Sequence, residues 1–244
     1  MSSIDEIFAF YITNDDDIEV KFDFFKIENK KSHYLISLTN LEKDVRKILH
    51  KGSNYYISDG RYLIIEFFIV ENSLNDENRN YQNIKIKVSP ESGIQMYCDN
   101  FYANLVYSWR KNEKKYDWRN FKSEFKRRTW IYACSRLKSV NTEFVSNENI
   151  FINFENIKTE NEMYCYLGEM FFGYRGYSGN NMYALKDCLL DVIELKKVKI
   201  SISHFNSFRN RLKNHKDMLK YNIIFVDELI DVFDYYKMNY EILS

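Results

Sequence analysis

The 244-residue sequence is short of proline (one), glycine (seven), cysteine (four) and histidine (four), and carries no net charge. Each shortage excludes something. So little Pro and Gly, beside 45% hydrophobic and 17% aromatic residues, rules out a linker-like or disordered chain and describes packed globular structure. Balanced charge removes any global pull toward nucleic acid or a membrane surface, so a charge-driven partner must be met by a local patch. Cys98, Cys134, Cys165 and Cys188 stand tens of residues apart, with no C-x-x-C pair and no His at metal spacing. Buried, reduced thiols in a cytoplasmic protein are expected, with no metal and no other cofactor. The longest apolar run, 62–70, is broken by Glu66 and too short to span a bilayer. Residues 1–11 show no basic region, apolar core and cleavage site in succession, so no signal peptide is expected. Phosphate-binding Gly loops, H-E-x-x-H and the nucleophile elbow are all missing, and His33, His50, His204 and His215 are scattered. No catalytic residue is nominated, and the chain reads as a non-enzyme.

What is present suits two domains. In the first, Ile18, Val20, Phe22 and Phe24 alternate with charged residues, the period-two pattern of a half-buried strand, and 34–38 continues it. Helical spacing of Val45, Ile48 and Leu49 predicts a helix over 41–50, with Asn40 as N-cap and Gly52 as stop. Asp59-Gly60 between the β-rich runs 54–58 and 61–70 predicts a hairpin. A polar loop over 71–80 and an alternating strand through Ile84, Ile86 and Val88, closed by Pro90, follow. Residues 1–140 therefore read as an α+β domain with a largely antiparallel sheet.

Helical patterning begins at Phe101, and charge concentrates there. Nine Lys/Arg between Arg110 and Arg128 face only Glu113, Asp117 and Glu124, interleaved with Trp109, Tyr116, Trp118, Phe121, Phe125 and Trp130. Such a mixture suits a nucleic-acid surface. The i, i+3, i+7 spacing of Trp118, Phe121 and Phe125 favours a simpler expectation, a buried stripe with the basic residues on the solvated back of one helix. The polar stretch 138–149 marks the domain boundary.

From 148 to 244 the pattern becomes β-α-α-β-α-α-β. The strands are 150–154, 198–202 and 240–243, and the helices 160–172, 181–193, 204–215 and 223–236. Crossovers of this length predict a three-stranded parallel sheet covered by four helices, an α/β domain. Met163, Leu167 and Met170 line one helix, and Leu185, Cys188, Leu189 and Val192 the next, which Asn180 or Asn181 caps after the loop 173–179.

Within it, Tyr177-Ser178-Gly179-Asn180-Asn181-Met182-Tyr183-Ala184-Leu185-Lys186-Asp187-Cys188-Leu189 resembles the barstar-family signature Y-Y-G-x-N-x-D-A-L-W-D-C-L. Weaker echoes keep the family's order: Ile152-Asn153 with Glu155 and Ile157, Phe205 and Phe208, Val232-Phe233, and Ile242-Leu243-Ser244. The resemblance implies a ribonuclease inhibitor that presents its second helix and the preceding loop to the enzyme's mouth. There a helix carboxylate, here Asp187, takes the place of a substrate phosphate. Partner-binding residues implied on this basis are Tyr177, Gly179, Asn181, Tyr183, Lys186, Asp187 and Asp191. Gly179 equally suits a plain turn, Asn181 a helix cap, and Asp187 an ordinary solvated acid. Tyr183 and Lys186 replace a family aspartate and tryptophan, and Tyr235 stands where the fourth helix carries a glutamate. Asp227, Glu228, Asp231 and Asp234 are alternatives for that acid.

The expectation is a bacterial, cytoplasmic immunity protein that binds a cognate nuclease toxin and touches neither membrane, metal nor nucleic acid directly. Two further readings stay open. One is a nucleic-acid-binding or enzymatic N-terminal domain regulated by a barstar-like docking domain, and the other an adaptor that has lost nuclease binding.

Overall fold

The computed structural model describes residues 9–14, 19–31, 33–47, 49–50, 53–59, 63–68, 82–88, 95–96, 100–137, 149–190, 198–213 and 225–243. Close contacts divide the chain into Met1–Tyr116 and Asp117–Ser244.

In the first unit, β1 (Phe10–Asn14), β2 (Glu19–Phe22), β3 (Phe24–Lys30), β4 (His33–Thr39), β5 (Asn54–Ser58), β6 (Leu63–Phe68), β7 (Asn83–Val88) and β8 (Gln95–Met96) precede helix α1 (Asn100–Arg110). They form an antiparallel sheet of order β2-β1-β5-β6-β8 and a second of order β3-β4-β7. Alternation decides burial: Ile84, Ile86 and Val88 are inside while Lys85 and Lys87 are exposed. The hairpin at Asp59 forms as the sequence predicts, pairing β5 with β6. Asp59 does more than turn the chain, for it is buried and accepts a 2.7 Å hydrogen bond from the Tyr102 hydroxyl of α1.

Two expectations change in this unit, and one strand is new. The alternating run 18–24 is two strands in different sheets, broken at Asp23. The Arg110 guanidinium donates to the Asp23 carbonyl (3.1 Å) and carboxylate (2.8 Å), holding the bend. Burial opposes ionisation of that carboxyl, but hydrogen bonds from Arg110 and Asn40 bring it below the ordinary carboxylate range. The helix expected over 41–50 is only a 3-10 turn, Val45–Lys47. Asp44 draws the backbone N–H of Arg46 (3.0 Å) and its guanidinium (2.8 and 2.7 Å) to itself, a local arrangement that competes with an α-helix. The strand β1 was not foreseen at all. Pro90, Gly52, Gly60, Ile48 and the loop 71–80 lie outside the described residues.

The single helix expected around Trp118, Phe121 and Phe125 is likewise interrupted. A 3-10 turn, Trp118–Asn120, is capped by the Asp117 side chain, Phe121 is extended, and α2 runs Glu124–Leu137. The break changes the phase: Trp118 and Phe121 are buried, but Phe125 is 49% exposed, beside exposed Lys122, Lys126 and Arg128.

After it come β9 (Asn149–Asn153), α3 (Glu160–Phe172), α4 (Met182–Leu190), β10 (Lys199–Ser203), α5 (Phe205–Lys213), α6 (Phe225–Tyr235) and β11 (Asn239–Ile242). The sheet is parallel, with β10 central between β11 and β9, as the element order predicts. Ile200 lies opposite Ile150 and Tyr240, and Ile202 opposite Ile152 and Ile242. Phe154 stacks on Phe208 at 4.6 Å, and Leu167, Leu185, Leu229, Val232 and Phe233 complete a core shielded from solvent. The fold is an α/β domain with a three-stranded parallel sheet, preceded by a region of antiparallel sheets.

The contact division places α2 with this second unit, earlier in the chain than the polar stretch 138–149. Buried charge explains why. Arg127 of α2 sits against Glu124 and 2.6 Å from Glu162 of α3. Thr159 caps α3 by accepting from the Glu162 N–H (3.2 Å) and donates to Glu124, while Glu162 accepts from the Lys158 N–H (2.6 Å). Further along, Arg119 pairs with Glu169. Burial pushes that carboxyl above its usual range, and Arg119 and the Trp118 indole partly offset the push. Trp130, Cys134 and Leu137 bury the rest of α2.

Replacing Arg127 with Ala strands the Glu162 carboxylate and is expected to cost about 3–5 kcal/mol in urea unfolding of the intact chain. We also expect a fragment 117–244 to melt cooperatively at a higher temperature than one beginning at 147, measured by circular dichroism. Equal melting temperatures would show that α2 contributes nothing to this unit.

Candidate partner-binding site

One face of the second unit is shaped by the loop between α3 and α4. Helix α3 ends at Gly173, at φ 77°, whose N–H donates to the Glu169 carbonyl at 3.0 Å. The chain then turns back onto α3 so closely that a Cβ on Gly168 would stand 2.3 Å from the Gly176 oxygen. Only two glycines permit that approach. The Ser178 hydroxyl donates to the Tyr164 carbonyl at 2.9 Å and pins the returning strand of the loop. At Gly179, φ is +107° and a Cβ would meet the Leu185 nitrogen at 2.6 Å, so the loop is pressed against the start of α4. Arg175 is buried at positive φ with its guanidinium 4.9 Å from the Tyr174 ring centre.

Helix α4 starts from Asn181, whose Oδ1 accepts the Ala184 N–H at 2.9 Å. Met182, Leu185, Cys188 and Leu189 are buried. The opposite side follows i, i+3, i+4, i+7: Tyr183 (80% exposed), Lys186, Asp187 and Leu190 (59% exposed). The Lys186 ammonium lies over the Tyr183 ring, 5.8 Å from its centre.

Helix α6 packs beside α4. Its Val226, Leu229, Val232 and Phe233 are buried, while Tyr235 is 77% exposed and meets Tyr236 edge to face at 5.1 Å. Burial first, then the neighbouring Tyr235 and the Asp187 carboxylate, push the Tyr236 phenol above its ordinary range, which sets Asp187 near the end of α6. The acids of α6 separate cleanly. Asp227 forms a two-point pair with Arg209, at 2.6 Å for each contact. Asp234 accepts from the Tyr240 hydroxyl at 2.8 Å. Glu228 is half-buried and raises the Glu160 carboxyl, whose main perturbation is burial. Asp231 is exposed and faces the Tyr240 side. By spacing, Glu228 and Asp231 stand seven and four residues before Tyr235 and share its side of α6.

Of the residues nominated from sequence, Tyr183, Lys186 and Asp187 share one outward strip. Tyr177 is half-buried in the loop, Gly179 is interior, and Asn181 is an exposed helix cap. Asp191 lies outside the described residues. Leu190 was overlooked as a surface residue, although its place three after Asp187 and seven after Tyr183 puts it on the same strip. Among the described residues no cluster of His, Cys, Asp or Glu is arranged to hold a metal ion, and no helix is long and apolar enough to cross a membrane.

The chain was compared with known proteins at three levels. Residues 147–230 match the family model Barstar, described as barnase inhibitor. No curated protein and no solved structure matches the chain. The match opens just before β9 and covers the parallel sheet's first two strands, α3, α4, α5 and the first half of α6, leaving α2 and β11 outside it. The C-terminal part of this chain thus matches a barstar-family domain, the family described as barnase inhibitor.

Proposed function

We propose that the chain is an immunity protein that binds a cognate ribonuclease toxin and closes its active site with α4. Asp187 is the residue that substitutes for a substrate phosphate, with Tyr183 and Lys186 beside it on α4, and the family resemblance adds Tyr177 and Asp191 to the contact. The observation carrying this reading is that Asp187 points outward from the middle of a short helix that is locked at its start and packed along its inner side. A carboxylate held in this way enters a cationic pocket without a further loss of chain freedom, and a charge-assisted pair made there is worth more than one between mobile side chains. We place the complex in the bacterial cytoplasm, where the producing cell needs protection.

Gly179 and Asn181 support this role indirectly. Gly179 sets the path of the loop, and Asn181 ends it by capping α4.

The test is inhibition of RNA cleavage by the full chain, using a ribonuclease toxin encoded beside it. Replacing Asp187 with Ala is expected to raise the inhibition constant roughly tenfold or more. An unchanged constant removes Asp187 from the contact. Asn181→Ala should act differently, lowering stability by about 1 kcal/mol through the lost cap while the inhibition constant of the folded protein stays the same. A tenfold weaker inhibitor that melts normally would make Asn181 a contact residue instead.

A further inference from the structure

We infer that the partner carries a carboxylate beside its cationic pocket, placed to receive Lys186, and that this lysine selects the partner by rejecting a ribonuclease mouth that is cationic throughout. This rests on the proposed role of Asp187 and adds what stands next to that pocket on the other molecule.

Lys186 and Asp187 are consecutive on α4, so they project about 100° apart around its axis, with the exposed Tyr183 and Leu190 on the ridge between them. Asp187 is on the flank that meets α6, where its charge acts on the Tyr236 phenol. Glu228 and Asp231 belong to that neighbouring helix, whereas Lys186 occupies the other flank of the ridge. Neither charge is taken up within the fold. Among the described residues no ion pair involves Lys186 or Asp187, and the ammonium lies over the Tyr183 ring, 5.8 Å from its centre. A contact of ordinary size covers about 800 Å² of each partner. A pocket that closes around Asp187 therefore takes the next residue of the same short helix into its footprint. There the ammonium meets the surface that supplies the cation for Asp187. Like charges brought together in a contact weaken it severely, and an ammonium stripped of water with no counter-charge weakens it further. A carboxylate opposite Lys186 removes both costs and replaces them with a charge-assisted hydrogen bond. Two adjacent charges of opposite sign thus fit a partner with a cation and an anion side by side, and they work against one that offers cations alone.

The experiment measures binding of the full chain to a catalytically disabled form of the ribonuclease toxin encoded beside it, by surface plasmon resonance. Lys186→Ala is expected to weaken binding about tenfold and Lys186→Glu roughly a hundredfold or more, while Lys186→Arg keeps most of the binding. Single Asp→Lys and Glu→Lys changes around the toxin's active site are then paired with Lys186→Glu. One of them should restore binding at least about tenfold, which locates the receiving carboxylate. Melting temperatures of the three Lys186 variants should match that of the natural chain, which separates contact from folding. Equal or tighter binding by Lys186→Ala, with Asp187→Ala still losing about tenfold or more, overturns the inference and leaves the inhibitor reading standing. A loss in Lys186→Glu that no toxin substitution relieves also overturns it, because repulsion from existing acids then accounts for the effect. Binding indifferent to Lys186 and Asp187 alike moves the contact off α4 and overturns both.

Discussion

Two polypeptide backbones touching at Gly168 and Gly176 are the constraint on which the exposed face depends. Neither residue tolerates a Cβ, since each would drive an atom to within 2.3 Å of the other's oxygen. Their contact turns the chain sharply back after α3 and presses the loop onto that helix. The Ser178 hydroxyl and the left-handed Gly179 then fix the position at which α4 begins. Without that approach the loop would have no defined path, and the outward strip of α4 would have no defined direction. A short helix of this kind owes its rigidity to how it is anchored, because a few turns alone are marginal in water.

The second unit also extends beyond the family match. Helix α2 is held to α3 by charges taken out of water, and such pairs are seldom the most economical source of stability. Their value lies in geometry. Arg127 reaches Glu162 only when α2 lies at one position along α3, and Glu162 is itself committed to the start of that helix through Lys158 and Thr159. The same residues that organise the first turn of α3 thus choose the register of its covering helix. The basic character of this segment follows partly from that task, for Arg119 and Arg127 are consumed by Glu169 and Glu162, while Lys122, Lys126 and Arg128 face outward.

How far the sequence foretold all this depended on whether the signal was local. Alternation at Ile150, Ile152, Ile200 and Ile202, and the helical spacing of Leu185, Cys188 and Leu189, report directly which side is buried, so the α/β order was legible with its parallel sheet. The outward position of Asp187 followed from the same spacing. What misled was periodicity without regard to competing hydrogen bonds. Asp44 captures the Arg46 backbone N–H and shortens one helix that apolar spacing alone would continue; the other, opened by the Asp117 cap, breaks where Phe121 becomes extended. The association of α2 with α3 was illegible for another reason. It rests on ion pairs between residues tens of positions apart, and charges so placed look in sequence like an ordinary solvated surface. Asp23 is similar: its bend is held by Arg110, and nothing near it in the chain announces the break.

The seam between α2 and α3 has a chemical consequence. Cys134 and Cys165 are enclosed along it, and burial, followed by the influence of neighbouring groups, holds both thiols well above their ordinary acidity range. A thiol in that state is almost never the nucleophilic thiolate, and no reagent reaches it while the helices remain together. Alkylation at these two positions therefore proceeds only as often as the covering helix lifts away. The pair is a natural timer for that motion, built from residues whose sulfur chemistry the folded protein never uses.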